Sequence, residues 1–247
     1  MIKRAGIVFV TISIVLLSGV IINVASPLKN KLLLQNHAPV IKIIAPKNNS
    51  QFDWNTQLSY SITVSDKEDG ESKYEEINSK EVLLQVKYIG DESKIKQALS
   101  KGVQNDAPGL AYMRTSNCFN CHAFNAKAIG PSFYDIAKKY PATPGNIALI
   151  VKHIREGSSG VWDKTPMPSH PELTKQQTEQ MVKWLTQNAT DLNNTYYMGI
   201  EGSFRIQSSS PLHQAVYMLT ASYTDHGTNE DSTHRLKGQD VVIIRSR

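Results

Sequence analysis

Cys118-Phe119-Asn120-Cys121-His122 holds the only two cysteines of this 247-residue chain, with a histidine directly after the second. Two thiols at that spacing followed by an imidazole form the attachment pattern of a c-type haem. The order follows from the chemistry. The thiols add to the two vinyl groups on one porphyrin edge, and the next residue delivers a nitrogen ligand to the iron. Three blander readings compete: a disulfide or redox pair, half of a zinc site, and chance. A redox pair calls for a strand–helix–strand setting, and tetrahedral zinc calls for two further ligands at close spacing. Neither is visible around residues 116–122.

The N-terminus has a different character. Met1-Ile2-Lys3-Arg4 precedes a nearly unbroken apolar run over residues 5–25. About twenty apolar residues cross a bilayer as a helix. No A-x-A-like cleavage site follows, since Ala25-Ser26 runs into Pro27, so residues 1–26 are expected to be an uncleaved signal anchor. Lys3 and Arg4 then stay in the cytoplasm and the rest of the chain lies on the periplasmic side, in single-pass topology. Residues 27–36 read as a linker. The formal charge of +5 contains no long Lys/Arg block, which leaves no case for nucleic acid.

Two β-rich stretches flank the cysteines. Residues 40–44, 58–64 and 82–88 read as strands, the second with strict alternation of apolar and small polar residues. Asp66-Lys67-Glu68-Asp69-Gly70 between the last two is either a solvated acidic turn or a Ca²⁺ loop. Residues 203–206, 216–223 and 241–244 supply further strands, with turn chemistry in Asp225-His226-Gly227-Thr228-Asn229. On Asn36-His37-Ala38-Pro39-Val40 and Val64-Ser65-Asp66-Lys67-Glu68-Asp69-Gly70 the first stretch resembles immunoglobulin-like (Ig-like) domains of the polycystic-kidney-disease (PKD) type. A β-sandwich of that kind needs about seven strands and about 100 residues, more than either stretch holds alone. The expectation is one sandwich in two parts, 37–92 and 195–247, with a helical domain at 95–190 inserted in a surface loop. Two independent small β pieces are the alternative.

Within the insert the periodicity is helical. Ser132 with Asp135 can cap a helix bearing Phe133, Ile136, Ala137 and Tyr140; Asn146 opens a second, closed by Gly157; Thr174 with Gln177 forms a capping box for a third. Met167 stands out because Pro166 and Pro168 stiffen the backbone around it, outside any helix. A thioether on the face opposite a histidine is a strong sixth ligand and raises the reduction potential of haem iron. His153 and His170 are the competing ligands.

Residues 109–185 resemble the small bacterial class I cytochromes c. The matching motifs are Cys118-Phe119-Asn120-Cys121-His122, Ile129-Gly130-Pro131-Ser132, Gly157-Ser158-Ser159-Gly160-Val161-Trp162 leading to Pro166-Met167-Pro168, and Met181-Val182-Lys183-Trp184-Leu185. The resemblance implies a small all-α domain with one covalently attached haem c. Cys118 and Cys121 would be thioether anchors, His122 the proximal and Met167 the distal ligand. It likewise implies that the Pro131 carbonyl accepts the imidazole N–H, that Trp162 hydrogen-bonds a haem propionate, and that Gly109 and Trp184 meet where the terminal helices cross. His153 stands where the family often has arginine near the propionates, with Arg155 as a substitute.

The expected fold class is therefore multi-domain α and β: an N-terminal anchor, an Ig-like sandwich and a class I cytochrome c domain. With both axial positions filled by protein there is no open site for substrate, and the expected function is electron transfer, with no catalytic residues. No G-x-S-x-G, H-E-x-x-H or phosphate-binding glycine loop occurs. The expected partners are a dehydrogenase donor and an oxidase or other respiratory acceptor, by analogy with module combinations. The rival reading is an Ig-like module that binds carbohydrate or protein, with Trp54, Tyr196 and Tyr197 as exposed aromatics and the haem domain as an accessory.

Overall fold

A computed structural model describes residues 35–90, 92–206 and 215–247. The expected anchor at residues 1–26 and most of the linker at 27–36 lie outside them. Among the described residues no helix is long and apolar enough to cross a bilayer.

Alternation of side chains decides which strand faces turn inward. In β1 (Val40–Ala45) Ile41 and Ile43 are buried while Val40 and Lys42 are exposed. β2 (Gln51–Phe52) is a short strand that contributes Phe52. β3 (Gln57–Asp66) buries Tyr60, Ile62 and Val64, and in the same phase Asp66. β4 (Gly70–Glu71) and β5 (Leu83–Tyr88) follow. Beyond the helices come β6 (Asn194–Met198), β7 (Glu201–Arg205), β8 (Val216–Thr224) and β9 (Lys237–Ser246). One sheet joins β1, β3 and β4, with β7 also on β3; the other runs β2-β9-β8-β5-β6. Ile41, Ile62 and Val64 from the first meet Leu84, Leu219, Val242 and Ile244 from the second in one core.

Strands from both sides of the helical stretch share each sheet. Leu58 pairs with Phe204, and Leu84 lies between Tyr197 and Ala221. The chain leaves β5 and re-enters at β6 in one place: Lys87 pairs with Asn194, and Tyr88 N donates to Asn193 O at 2.8 Å. An excursion whose ends already meet leaves the sheet register undisturbed.

β6 corrects the expectation of exposed aromatics. Consecutive strand residues point to opposite faces, and both faces of this strand are covered. Tyr196, 8% exposed, packs among the helices, whereas Tyr197 packs on the sandwich core, and Trp54 is half-buried edge-on against Phe52.

Among the described residues five α-helices lie between β5 and β6. α1 (Ser93–Leu99) seats Ile95 against Val216 and Ile243, on the sandwich. α2 (Pro108–Thr115), α3 (Phe133–Lys139), α4 (Pro144–Glu156) and α5 (Lys175–Asn188) form the helical body. Ser132 caps α3 by accepting from Asp135 N, and Thr174 with Gln177 makes the capping box of α5. α4 starts before the expected Asn146, because Thr143 caps it by accepting from Asn146 N and Pro144 fits the first turn, where its missing N–H goes unused. α2 and α5 touch at Gly109, where a Cβ would lie 2.3 Å from Gln180 O and 2.5 Å from Trp184 Cβ.

The helical body is seated on the outer face of the second sheet. Leu83 and Tyr196 point away from the sandwich core and join Leu110, Phe124 and Trp184 in a second apolar cluster. Beside it lies a buried charge cluster: Asp106 pairs with both Arg114 on α2 and Lys237 on β9. Arg114 also donates to the carbonyls of Glu81 at 2.8 Å and Ser222 at 3.2 Å. Burial alone would raise the Asp106 carboxyl, but Arg114 and Lys237 outweigh it and hold it below the usual carboxylate range.

Candidate functional site

A 3-10 turn at Cys118–Asn120, entered through Asn117 at φ 58°, carries the two cysteines. His122 N donates to Cys118 O at 3.0 Å, which places the histidine directly under the turn. Its ring, 8% exposed, stacks on Phe133 with centroids 5.4 Å apart. Pro131 has only a carbonyl to offer, so the 2.7 Å contact with His122 Nδ1 requires the proton on Nδ1. Nε2 is thereby left as the free lone pair, in the tautomer a metal ligand needs. Burial lowers the pKa of His122, and the Pro131 bond opposes that only in part, which favours the neutral imidazole. Cys118 and Cys121 are half-buried and form no disulfide with each other. In the chain without haem, burial, with the charge of Cys121 added, pushes the Cys118 thiol up to about 12.

Met167 is held by backbone rather than by a helix. Its N–H donates to Ser158 O at 2.8 Å and its carbonyl accepts from Ser158 N at 3.1 Å, an isolated antiparallel bridge. Gly157, at φ 81°, turns the chain out of α4 toward this bridge; a Cβ there would sit 3.0 Å from Met167 O. Cys118, Cys121, His122, Pro131, Trp162 and Met167 all line one cleft that opens to solvent. Its walls are apolar, from Met113, Ile136, Ile150, Ile154, Val182 and Leu185 on the four helices of the body.

The family model described as Cytochrome c matches residues 107–189. Cytochrome c-551 of Ectopseudomonas mendocina is 33% identical over 79 residues, which cover 32% of this chain and 95% of that protein. Cytochrome c2 of Rhodocyclus tenuis is 35% identical over 80 residues, 30% of this chain and 86% of that protein. Cytochrome c-552 of Hydrogenobacter thermophilus is 33% identical over 72 residues, 29% of this chain and 72% of that protein. The chain belongs to the cytochrome c family.

This cytochrome c accordingly carries covalently bound haem c, and redox partner proteins are implied. The donor set of the cleft fits that group: two thiols on one turn, an imidazole whose Nε2 is free, a thioether fixed by its own backbone, and apolar walls. Trp162 stands at the rim, 41% exposed, with Lys139 Nζ 4.4 Å above its ring and Tyr140 edge-on at 6.5 Å. Lys127 and Asp163 tie the loop after His122 to the loop before Met167 at 2.8 Å.

The histidines and arginine considered beside the main candidates separate clearly. His153 and His170 both line the cleft, but His170 Nδ1 is 2.9 Å from Glu172 Oε1. Arg155 Nε donates to Leu173 O at 3.3 Å. Two positions lie inside motifs quoted from the sequence but were given no role of their own there. Gly130 touches the imidazole so closely that a Cβ would lie 2.6 Å from His122 Cε1, and Ser158 is the bridge partner of Met167. A glycine directly before the proline was the available signal for the first; nothing local marks the second.

Proposed function

We propose that this cytochrome c is a monohaem electron carrier tethered to the cytoplasmic membrane by residues 1–26, with its domains on the periplasmic side. It takes electrons from a dehydrogenase and passes them to an oxidase or other respiratory acceptor. Cys118 and Cys121 are its thioether anchors, and His122 and Met167 its axial ligands. Bound haem c supplies a one-electron couple at its iron. Pro131 keeps the His122 tautomer and ring plane fixed, Ser158 keeps Met167 in place, and the apolar walls exclude water. Trp162 is the indole donor for a propionate. Two protein ligands leave no position for a substrate, so the protein is not an enzyme. The sandwich is an Ig-like domain of PKD type, with the cytochrome domain inserted between β5 and β6.

The observation that carries this reading is the placement of His122 and Met167 on one cleft, each held by backbone hydrogen bonds. The test is the absorbance spectrum of protein matured in a host able to attach haem c. The ferric form is expected to be low-spin with a thioether-to-iron band, and Met167→Ala to lose that band while the haem stays covalently attached. A high-spin wild-type ferric spectrum overturns the reading. For the tether, the protein should stay with membranes through an alkaline carbonate wash; release into the wash overturns that part alone.

A further inference from the structure

Strand β3 ends on an anomaly. Its buried phase runs Tyr60, Ile62, Val64 and then Asp66, a carboxylate only 6% exposed. Asp66 Oδ1 accepts from Glu68 N at 2.9 Å and Asp69 N at 2.8 Å, which closes the acidic turn. The other oxygen, Oδ2, is buried and has no hydrogen-bond partner among the described residues. Among these residues no Lys, Arg or His forms an ion pair with Asp66. An unmet carboxylate oxygen out of water is costly and calls for a partner.

The surroundings make the demand stronger. Burial raises the Asp66 carboxyl; the N–H groups of Asp69 and Glu68 pull it down, and the charges of Asp69 and Asp225 push it up again. Asp225 is itself fully buried, just past β8. Its Oδ1 accepts from Gly227 N at 3.0 Å and Leu236 N at 2.8 Å, and its Oδ2 accepts from Asn36 Nδ2 at 2.9 Å. Asn36 Nδ2 also donates to His234 O at 2.7 Å. Those two acceptors fix the amide orientation, because exchanging its N and O would set oxygen against oxygen. Asn36 Oδ1 is then a second buried oxygen without a partner among the described residues. It lies beside the acidic turn, since the next residue, His37, contacts Glu68 through its N at 3.2 Å and its Nδ1 at 2.7 Å.

Asn36 bonds Asp225 directly and the charge of Asp225 acts on Asp66, so two orphaned oxygens and a buried carboxylate, all acceptors, belong to one linked cluster. We propose that Asn36, Asp66 and Asp225 form a Ca²⁺ site that ties the segment before β1 to the ends of β3 and β8. The donors are all oxygen, which selects a hard cation. Asp69 stays outside the set, held by Tyr223 Oη at 2.8 Å and His226 N at 3.0 Å. His226 bridges Asp69 and Glu81 instead of meeting Asp66. Among the described residues no three His, Cys, Asp or Glu side chains come together as a ready-made metal cage. Water and backbone carbonyls must complete the shell, which sets the affinity in the weak range of extracellular modules, about 10⁻⁴–10⁻³ M. A proton held on Asp66 is the competing way to relieve the repulsion.

The test uses the full-length, haem-loaded protein, stripped with EGTA and titrated with calcium chloride by calorimetry and thermal unfolding. Expected are one Ca²⁺ per chain and a rise in unfolding midpoint of about 5 °C at about 10 mM calcium. Asp66→Asn and Asn36→Ala should each lower the affinity at least ~10-fold and leave the haem spectrum unchanged. If Asp66→Asn fails to fold, Asn36→Ala carries the result. Absence of any calcium response in the wild type, with Asp66→Asn equally stable, would mean a protonated Asp66 and overturns the site. Full calcium binding by Asn36→Ala, or an equal response to magnesium, overturns it as well.

Discussion

The imidazole of His122 is fixed from two sides by groups that have no freedom to adapt. The Pro131 carbonyl accepts a hydrogen bond from its Nδ1 at 2.7 Å, and the Gly130 backbone lies so close that a methyl group there would be 2.6 Å from Cε1. Gly130 has ordinary backbone torsions, so alanine is excluded by contact rather than by conformation. Gly130→Ala must therefore move the ring or the 130–131 backbone. We expect a loss of about 1–3 kcal/mol in denaturant unfolding and, if His122 and Met167 hold the haem iron as proposed, a weakened thioether-to-iron band, because the ring that would hold it is displaced. Wild-type stability together with a wild-type spectrum in this variant would show that the imidazole is not held by that contact.

Among the helices, the crossing of α2 and α5 depends on one missing side chain. A Cβ on Gly109 would meet Gln180 O at 2.3 Å and Trp184 Cβ at 2.5 Å, and a backbone oxygen inside a helix cannot swing aside. Alanine is the better helix former by at most about 1 kcal/mol, less than the clash. Gly109→Ala is expected to destabilise by about 1–3 kcal/mol, read as a lower midpoint in denaturant, although it improves local propensity. The caps behave in the opposite way. Thr143, Ser132 and Thr174 each accept a bond from the third residue of their helix, an arrangement complete within four residues. That is why Ser132 and Thr174 were legible as caps before any tertiary contact was known, whereas the start of α4 was placed at Asn146 although Thr143 caps it.

The molecule as a whole is joined by the seam between helices and sheet. Asp106 sits there with Arg114 and Lys237, its side chain 11% exposed. Its folded pKa lies below the ordinary value, so the unfolded chain takes up a proton first on acidification. The stabilisation is complete above the unfolded carboxyl value of about 3.9 and is lost as pH falls from there through the folded value. Asp106→Asn should flatten this acid limb and cost about 3 kcal/mol at neutral pH, because two buried cations lose their counter-ion. A second expectation follows from Tyr196, which belongs to β6 yet packs against Phe124 at 5.0 Å and Trp184 at 5.5 Å. Tyr196→Ala should cost about 3 kcal/mol and lower the unfolding midpoints seen at the haem band and in the far-ultraviolet strand signal together. Separate midpoints in the wild type would show that the seam does not couple the two parts.

What could be read from the chain unaided was whatever is complete over a few residues. The cysteine pair with its histidine, the proline-flanked Met167, the capping residues and the alternating strands 58–64 and 216–223 all carry their signal within one turn or one strand, where covalent geometry decides. Tyr196 and Tyr197 looked like exposed aromatics because adjacent apolar residues break alternation; only the helices packed on one face and the sandwich on the other explain both. Arg155, near His153 in sequence, bonds the Leu173 carbonyl, since helix rotation is set by the whole apolar face rather than by one residue. Asp66 announced a turn but neither its burial, in the inward phase of β3, nor the charge of Asp225 acting on it from 159 residues away along the chain. Local bonding is written in neighbouring residues, whereas burial and facing depend on which distant segments arrive, and that is settled by packing.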